Sequence, residues 1–141
     1  MAFQIVGSVG DTIDAVIREF PKTTTAAAAS GNLMSETGAG LTRSTSTDTT
    51  AGATWFFGIA KSTQVAADTV VLAARLTSGM LLLADCTNNT ATNQVGRRRP
   101  VTDHLTLNNT SIDSNANTAA FEIVAVVGAV DDRKALVKYL G

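Results

Sequence analysis

The chain has 141 residues, enough for one domain that buries roughly 70% of the surface its unfolded form exposes, so no disulfide or metal clip is needed to hold a core. Eleven basic residues against twelve acidic ones leave a formal charge of -1, which excludes a whole-molecule field steering the protein toward nucleic acid or anionic lipid. A single cysteine, Cys86, excludes an internal disulfide framework and any multi-cysteine zinc site, and agrees with synthesis in a reducing cytosol.

The N-terminal MAFQIVGSVGD lacks a basic n-region and a long apolar h-region, and no run approaches the roughly eighteen apolar residues of a membrane span. A soluble protein with no signal peptide is expected. Phe3 to Val6 and Ile13 to Glu19 carry apolar residues at alternate positions or nearly so, as half-buried strands require. The Ala run of KTTTAAAASGNLM favours a helix on propensity alone, but it is short and flanked by β-branched Thr and by Ser-Gly, so it is read as non-helical. Gly31 to Ser46 reads as two short strands around a turn at Glu36 to Gly40, where glycines supply the conformations of a tight reversal. Ser44 to Ala53 (STSTDTTAGA) is a polar loop with side chains too small to bury anything.

Trp55 to Lys61, Thr69 to Leu76 and Met80 to Cys86 are three apolar runs of strand length, and they mark the centre of the core. In the first, WFFGIA, alternation sets Phe56 and Gly58 opposite Trp55, Phe57 and Ile59, as in a core strand rather than an exposed aromatic platform. The segment from Asn88 to Asn117 is read mostly as surface loop, with one strand near Val101 to Leu107. Ala120 to Gly128 reads as a strand. After the turn at Ala129 to Asp132 the segment Arg133 to Leu140 has good helix formers and a cap in Asp131 or Asp132, but its shortness and alternation favour a closing strand. About eight to ten short strands with turn signals between them predict an all-β fold, a compact single-domain β-barrel or sandwich over residues 1–141. Residues 1–30 are either edge strands of that body or an N-terminal arm.

No catalytic signature accompanies these strands. The only histidine, His104, neighbours Asp103, but adjacent strand residues point to opposite faces. A Cys86–His104 pair would be the basis of a small enzyme; Cys86 ends an apolar run, where an inert buried thiol is the rule. The carboxylates at Asp11 to Asp14 and Asp131-Asp132 lack calcium-loop spacing and read as turn residues. Neither GSVG at Gly7 to Gly10 nor GAG at Gly38 to Gly40 has the context of a nucleotide-binding loop. The sequence is therefore read as a non-enzyme with no cofactor and no metal. The run Arg97-Arg98-Arg99 is the one concentrated charge; without further basic residues and stacking aromatics beside it, it reads as a solvated loop tip or a docking contact to an acidic protein surface, not a nucleic-acid site.

The order of elements has a counterpart. Gly31-Asn32-Leu33-Met34, then Gly40-Leu41-Thr42-Arg43-Ser44-Thr45, then Phe57-Gly58-Ile59-Ala60 are followed by Phe121-Glu122-Ile123-Val124-Ala125-Val126-Val127, Asp131-Asp132 and Ala135-Leu136-Val137. In this order the chain resembles the small capsid decoration, or cement, proteins of tailed bacteriophages, over roughly Gly31 to Gly141. The resemblance implies a β-barrel on the outer capsid surface, often a trimer, that clamps neighbouring subunits of the major capsid protein lattice after the shell expands. It implies a protein made in the host cytoplasm and carried on the virion, with neither nucleic acid nor membrane as partner. Candidate capsid contacts are Arg97, Arg98 and Arg99, with Phe3 and Ile5 of the N-terminal segment. The alternative is a phage fibre or head-associated module that recognises a host glycan or surface protein.

Overall fold

The computed structural model describes residues 2–8, 17–23, 27–37, 39–45, 55–110 and 119–141, with the backbone alone at Ser8, Thr37, Trp55, Phe56 and Phe57. Ten strands follow one another: β1 (Phe3–Ser8), β2 (Ile17–Pro21), β3 (Leu33–Thr37), β4 (Gly40–Arg43), β5 (Trp55–Ala60), β6 (Val70–Arg75), β7 (Met80–Asp85), β8 (Arg98–Arg99), β9 (Phe121–Val127) and β10 (Lys134–Tyr139). They form two five-stranded antiparallel sheets, ordered β1-β7-β10-β9-β8 (sheet A) and β2-β6-β5-β3-β4 (sheet B). The all-β expectation holds, and neither sheet closes as a barrel. The N-terminal segments β1 and β2 are edge strands, one in each sheet.

Period-two alternation builds the core. In sheet A, Met80, Leu82 and Ala84 of β7 point inward with Ala135, Val137 and Tyr139 of β10. Phe121 and Ile123 of β9 and Phe3 of β1 join them, and Leu33 and Ile59 close the layer from sheet B. Phe3 and Phe121 stack with centroids 6.1 Å apart although β7 and β10 lie between their strands. Three strand spacings are about 14 Å on a flat sheet, so this contact records how far sheet A curls over its core.

Sheet B curls further. The first residue past β2 bridges the far edge strand in parallel, Lys22 to Leu41, and the Thr23 amide donates to the Leu41 carbonyl at 2.9 Å. Inside the curl sits a second apolar cluster of Met34, Leu41, Ala60, Val71 and Ala73, against which Phe20 packs. The two edges approach so closely that Gly40, at φ 124°, has no room for a side chain: a Cβ there would lie 2.9 Å from the Pro21 carbonyl oxygen. Lys22 is buried at the junction, and its ammonium donates to the carbonyls of Thr23 (2.6 Å) and Ala66 (3.1 Å). A charge can be buried here because carbonyl oxygens replace its water.

Several expectations need correction. Of the predicted Ile13 to Glu19 strand, Ile17 to Glu19 lie in β2, which runs on to Pro21, and 13–16 lie outside the described residues. The alternation at Val101 to Leu107 makes no ladder strand. Val101 bridges Leu107, Thr102 donates to the Thr106 carbonyl, and Asp103 Oδ1 accepts the amides of Leu105 (2.8 Å) and Thr106 (3.0 Å). The aspartate offers the backbone a turn in place of a ladder. Ser44, expected to bury nothing, is itself buried, and its hydroxyl pairs with Ser35 at 2.6 Å; residues 46–53 of that loop lie outside the described residues. The side-chain alternation expected of Trp55, Phe56 and Phe57 also lies outside them, as do the turns expected around Gly10, at Asp11 to Asp14 and at Gly38. Of the Ala run, Ala28 is not helical but pairs with Gln64 through two backbone hydrogen bonds of 2.8 and 2.9 Å. In β9 the alternation breaks at a bulge opposite Leu136 and Val137, which leaves Val124 out of the register and 38% exposed.

Candidate functional site

The arginine run is built from the backbone outward. After β7 the chain enters a polar loop whose centre is Asn109, fully buried. Its Oδ1 accepts the Asn88 amide at 3.1 Å, and its Nδ2 donates to the Asn89 carbonyl (3.0 Å) and to Gln94 Oε1 (3.1 Å). The same Gln94 oxygen accepts the Ala91 amide and fixes the short 3-10 turn Thr92–Gln94. Arg133, in the left-handed region at φ 54°, reaches across to Asn89 Oδ1 and the Thr87 carbonyl. Asn109→Ala is expected to cost about 1–3 kcal/mol, because it removes three hydrogen bonds at once, one of them buried and two part-buried; urea unfolding checks it, and a cost near zero would show that the loop is not held from within.

From this anchor the chain turns at Gly96 and pairs with β9. The Gly96 amide donates to the Ile123 carbonyl at 2.8 Å, and the Ile123 amide donates back to the Arg97 carbonyl at 3.0 Å. Arg98 then lies opposite Glu122 and Arg99 opposite Phe121. The run is therefore an edge strand and not a loop tip. Arg97 and Arg98 are exposed and Arg99 is half-buried; burial, then the charge of Arg97, lowers the Arg99 pKa, and a guanidinium remains a cation all the same. Cations along so short an edge also discourage the addition of a stray strand.

The other two candidate contacts stand elsewhere. Phe3 is fully buried, between Phe121 and the Ala84 side of β7, so it is a core residue and is withdrawn as a surface contact. Ile5 is partly buried and packs on the same cluster. Neither is brought beside the arginines, which occupy the opposite edge of sheet A from β1.

The residues of the enzymatic alternative have different surroundings. Cys86 belongs to the core between the sheets. Burial, and then the charge of Asp85, push its thiol up to about 11 against the opposing effect of Lys134. The thiol is thus protonated at neutral pH, a poor nucleophile. Because the folded value lies above the unfolded one, the contribution of this group to stability is complete below about pH 9 and is lost as pH rises toward 11. Alkylation of the native protein at pH 7 is expected to be slow until denaturant is added, and rapid native alkylation would refute the buried-thiol account. His104 lines a different place, an open depression of about 370 Å³ with Thr42, Arg43, Ser44, Thr45, Thr102 and Asp103. Desolvation and then Arg43 lower its pKa, while Asp103 raises it. That depression, rich in hydroxyls, is not foreseen from sequence, since Thr42 to Thr45 and Thr102 to His104 are brought together by pairing between distant segments: the bridge of Thr45 to Asp103, and Leu33, whose amide donates to the His104 carbonyl and whose carbonyl accepts the Ser44 amide.

Among the described residues no group of three or more His, Cys, Asp or Glu is placed to hold a metal ion, and no helix is long and apolar enough to cross a membrane. Compared with known proteins, the chain matches no family model, no curated protein and no solved structure.

Proposed function

We propose that this protein is a structural virion component, a capsid decoration protein that binds the outer surface of a tailed-phage head as a trimer and stabilises the expanded shell. The observation that carries the reading is where its resembling segments fall. Gly31 to Met34, Gly40 to Thr45 and Phe57 to Ala60 fall on or beside β3, β4 and β5, which are neighbours in sheet B. Phe121 to Val127 and Ala135 to Val137 form the β9–β10 hairpin of sheet A. The likeness thus runs through adjacent frame strands of both sheets rather than through scattered loops.

The physical demands of the role agree with this frame. A cement protein needs a stiff body and a surface complementary to a lattice, and many copies on one shell turn modest contacts into lasting attachment. The arginine edge supplies planar donors suited to carboxylates on such a lattice. Co-sedimentation with expanded shells assembled from the major capsid protein encoded beside it is expected to saturate at a fixed ratio of copies to capsid subunits. If the folded protein does not bind shells, the second reading takes precedence: a fibre or head-associated module for a host glycan or surface protein. The hydroxyl-lined depression beside Arg43 and His104 favours that reading, because sugar hydroxyls need such donors and acceptors.

A further inference from the structure

The outward face of sheet A carries a feature that folding alone does not require. The residues of β7 and β10 that alternate with the core set are Leu81, Leu83, Lys134, Leu136 and Lys138, together with Asp85. Pairing register puts Leu83 beside Leu136, and Leu81 beside Lys138. These leucines are half-buried, and Val6 and Val124 on the flanking strands are 51% and 38% exposed. Among the described residues no element packs over this face, because sheet B covers the other one. Single exposed apolar residues are ordinary, but a contiguous row of leucines on an open sheet marks a surface that meets something.

Charge says what it meets. At one end of the row Lys134 is paired with Asp85 at 2.6 Å. At the other end, among the described residues, Glu122 is the single carboxylate opposite both Lys138 and Arg98, with Arg97 and Arg99 adjoining on the same edge. Register thus places two cations, Lys138 and Arg98, and one anion, Glu122, on the outer face at that end, while Arg99 lies opposite the inward-facing Phe121. A second copy laid face to face about an axis along β10 would set Lys134 and Lys138 against their own counterparts, which like charges oppose. Nucleic acid would want aromatics for stacking where this face has leucines.

We infer that the outer face of sheet A, centred on Leu83 and Leu136 and bounded by Lys138 and the arginine edge, docks on an acidic protein surface with an apolar centre. On the decoration reading, from which this follows, that surface belongs to the capsid subunit. An apolar middle with a charged rim is the usual anatomy of a protein interface.

The test is co-sedimentation with expanded shells for the wild type, Leu136→Glu, the double variant Arg98→Glu with Lys138→Glu, and Leu72→Glu as a control on sheet B. Circular dichroism and the unfolding midpoint establish that each is folded. The double variant leaves the apolar row intact, so it remains informative if Leu136→Glu does not fold. Both outer-face variants are expected to bind roughly tenfold more weakly or worse, the control to bind as the wild type does, and wild-type binding to weaken with salt. Wild-type binding that the outer-face variants leave unchanged would overturn this face while leaving the decoration role in place. Absence of wild-type binding would overturn both. Self-association of the wild type abolished by Leu136→Glu would show that a second copy takes the face, and would also overturn the inference.

Discussion

Replacing Gly58 with alanine is expected to destabilise the protein by about 3 kcal/mol or more. A Cβ at this position would overlap the carbonyl oxygen of Ala74, and would stand 2.9 Å from its carbonyl carbon and 3.2 Å from the Arg75 Cα. All three atoms are backbone, so no side chain can rotate aside. Relief requires β5 and β6 to separate where Gly58 pairs with Arg75, in the interior of sheet B. Strand propensity argues the opposite sign, since glycine within a strand is ordinarily a weakness that alanine mends. The outcome therefore decides between local preference and packing. Gly7→Ala is the control: nothing lies within 4 Å of a Cβ there, and a change within about 0.5 kcal/mol is expected. Denaturant unfolding of the two variants measures the difference, and equal effects would contradict the packing account.

Phe121→Ala is expected to cost about 3–5 kcal/mol. The ring is fully buried and lies between two others, Phe3 at 6.1 Å and Tyr139 at 5.5 Å between centroids. Removing it leaves a cavity where the core joins β1, β9 and β10, and strand neighbours held in register cannot collapse freely into it. The effect reaches the candidate site as well, because Arg99 pairs with Phe121 and the arginine edge rests on β9. Val65→Ala, at a residue 64% exposed, is expected to change stability by less than about 0.5 kcal/mol. A Phe121→Ala cost below about 1 kcal/mol would mean that this ring is not central to the core.

Much of this frame was legible in the residues. Runs such as MLLLAD and KALVKY declare their strands by strand length and apolar content between turn residues, whereas the inward set (Met80, Leu82, Ala84; Ala135, Val137, Tyr139) is set apart from the outward one by the pairing. Alternation misreads Val101 to Leu107, where Asp103 captures two amides and turns the backbone, a competition that alternation does not register. Ser44 misleads for another reason: a small hydroxyl is free to be buried once a partner such as Ser35 meets it, and that partner stands on a different strand. The curl of sheet B was not legible either, since it depends on Gly40 passing the Pro21 backbone, a contact between distant segments.

For the candidate site the balance is similar. The arginine cluster stands out as composition, but its placement on an edge strand rests on pairing with Glu122 and Phe121 more than twenty residues later, and on an anchor at Asn109 that reads in sequence as a mere turn residue. The leucines outside sheet A read as core because they lie in an apolar run. Only the register separates Leu81 and Leu83 from Met80 and Leu82. Phe3 shows the converse, an N-terminal aromatic expected at the surface and found in the core.

The measurement that bears most directly on the decoration role is co-sedimentation of the wild-type protein with shells of the neighbouring capsid protein, expanded and unexpanded, over a range of protein concentrations. Saturable binding to expanded shells at a fixed stoichiometry is predicted, with weaker or no binding to unexpanded ones. Equal, non-saturating association with both, or none with either by protein shown to be folded, would contradict the role.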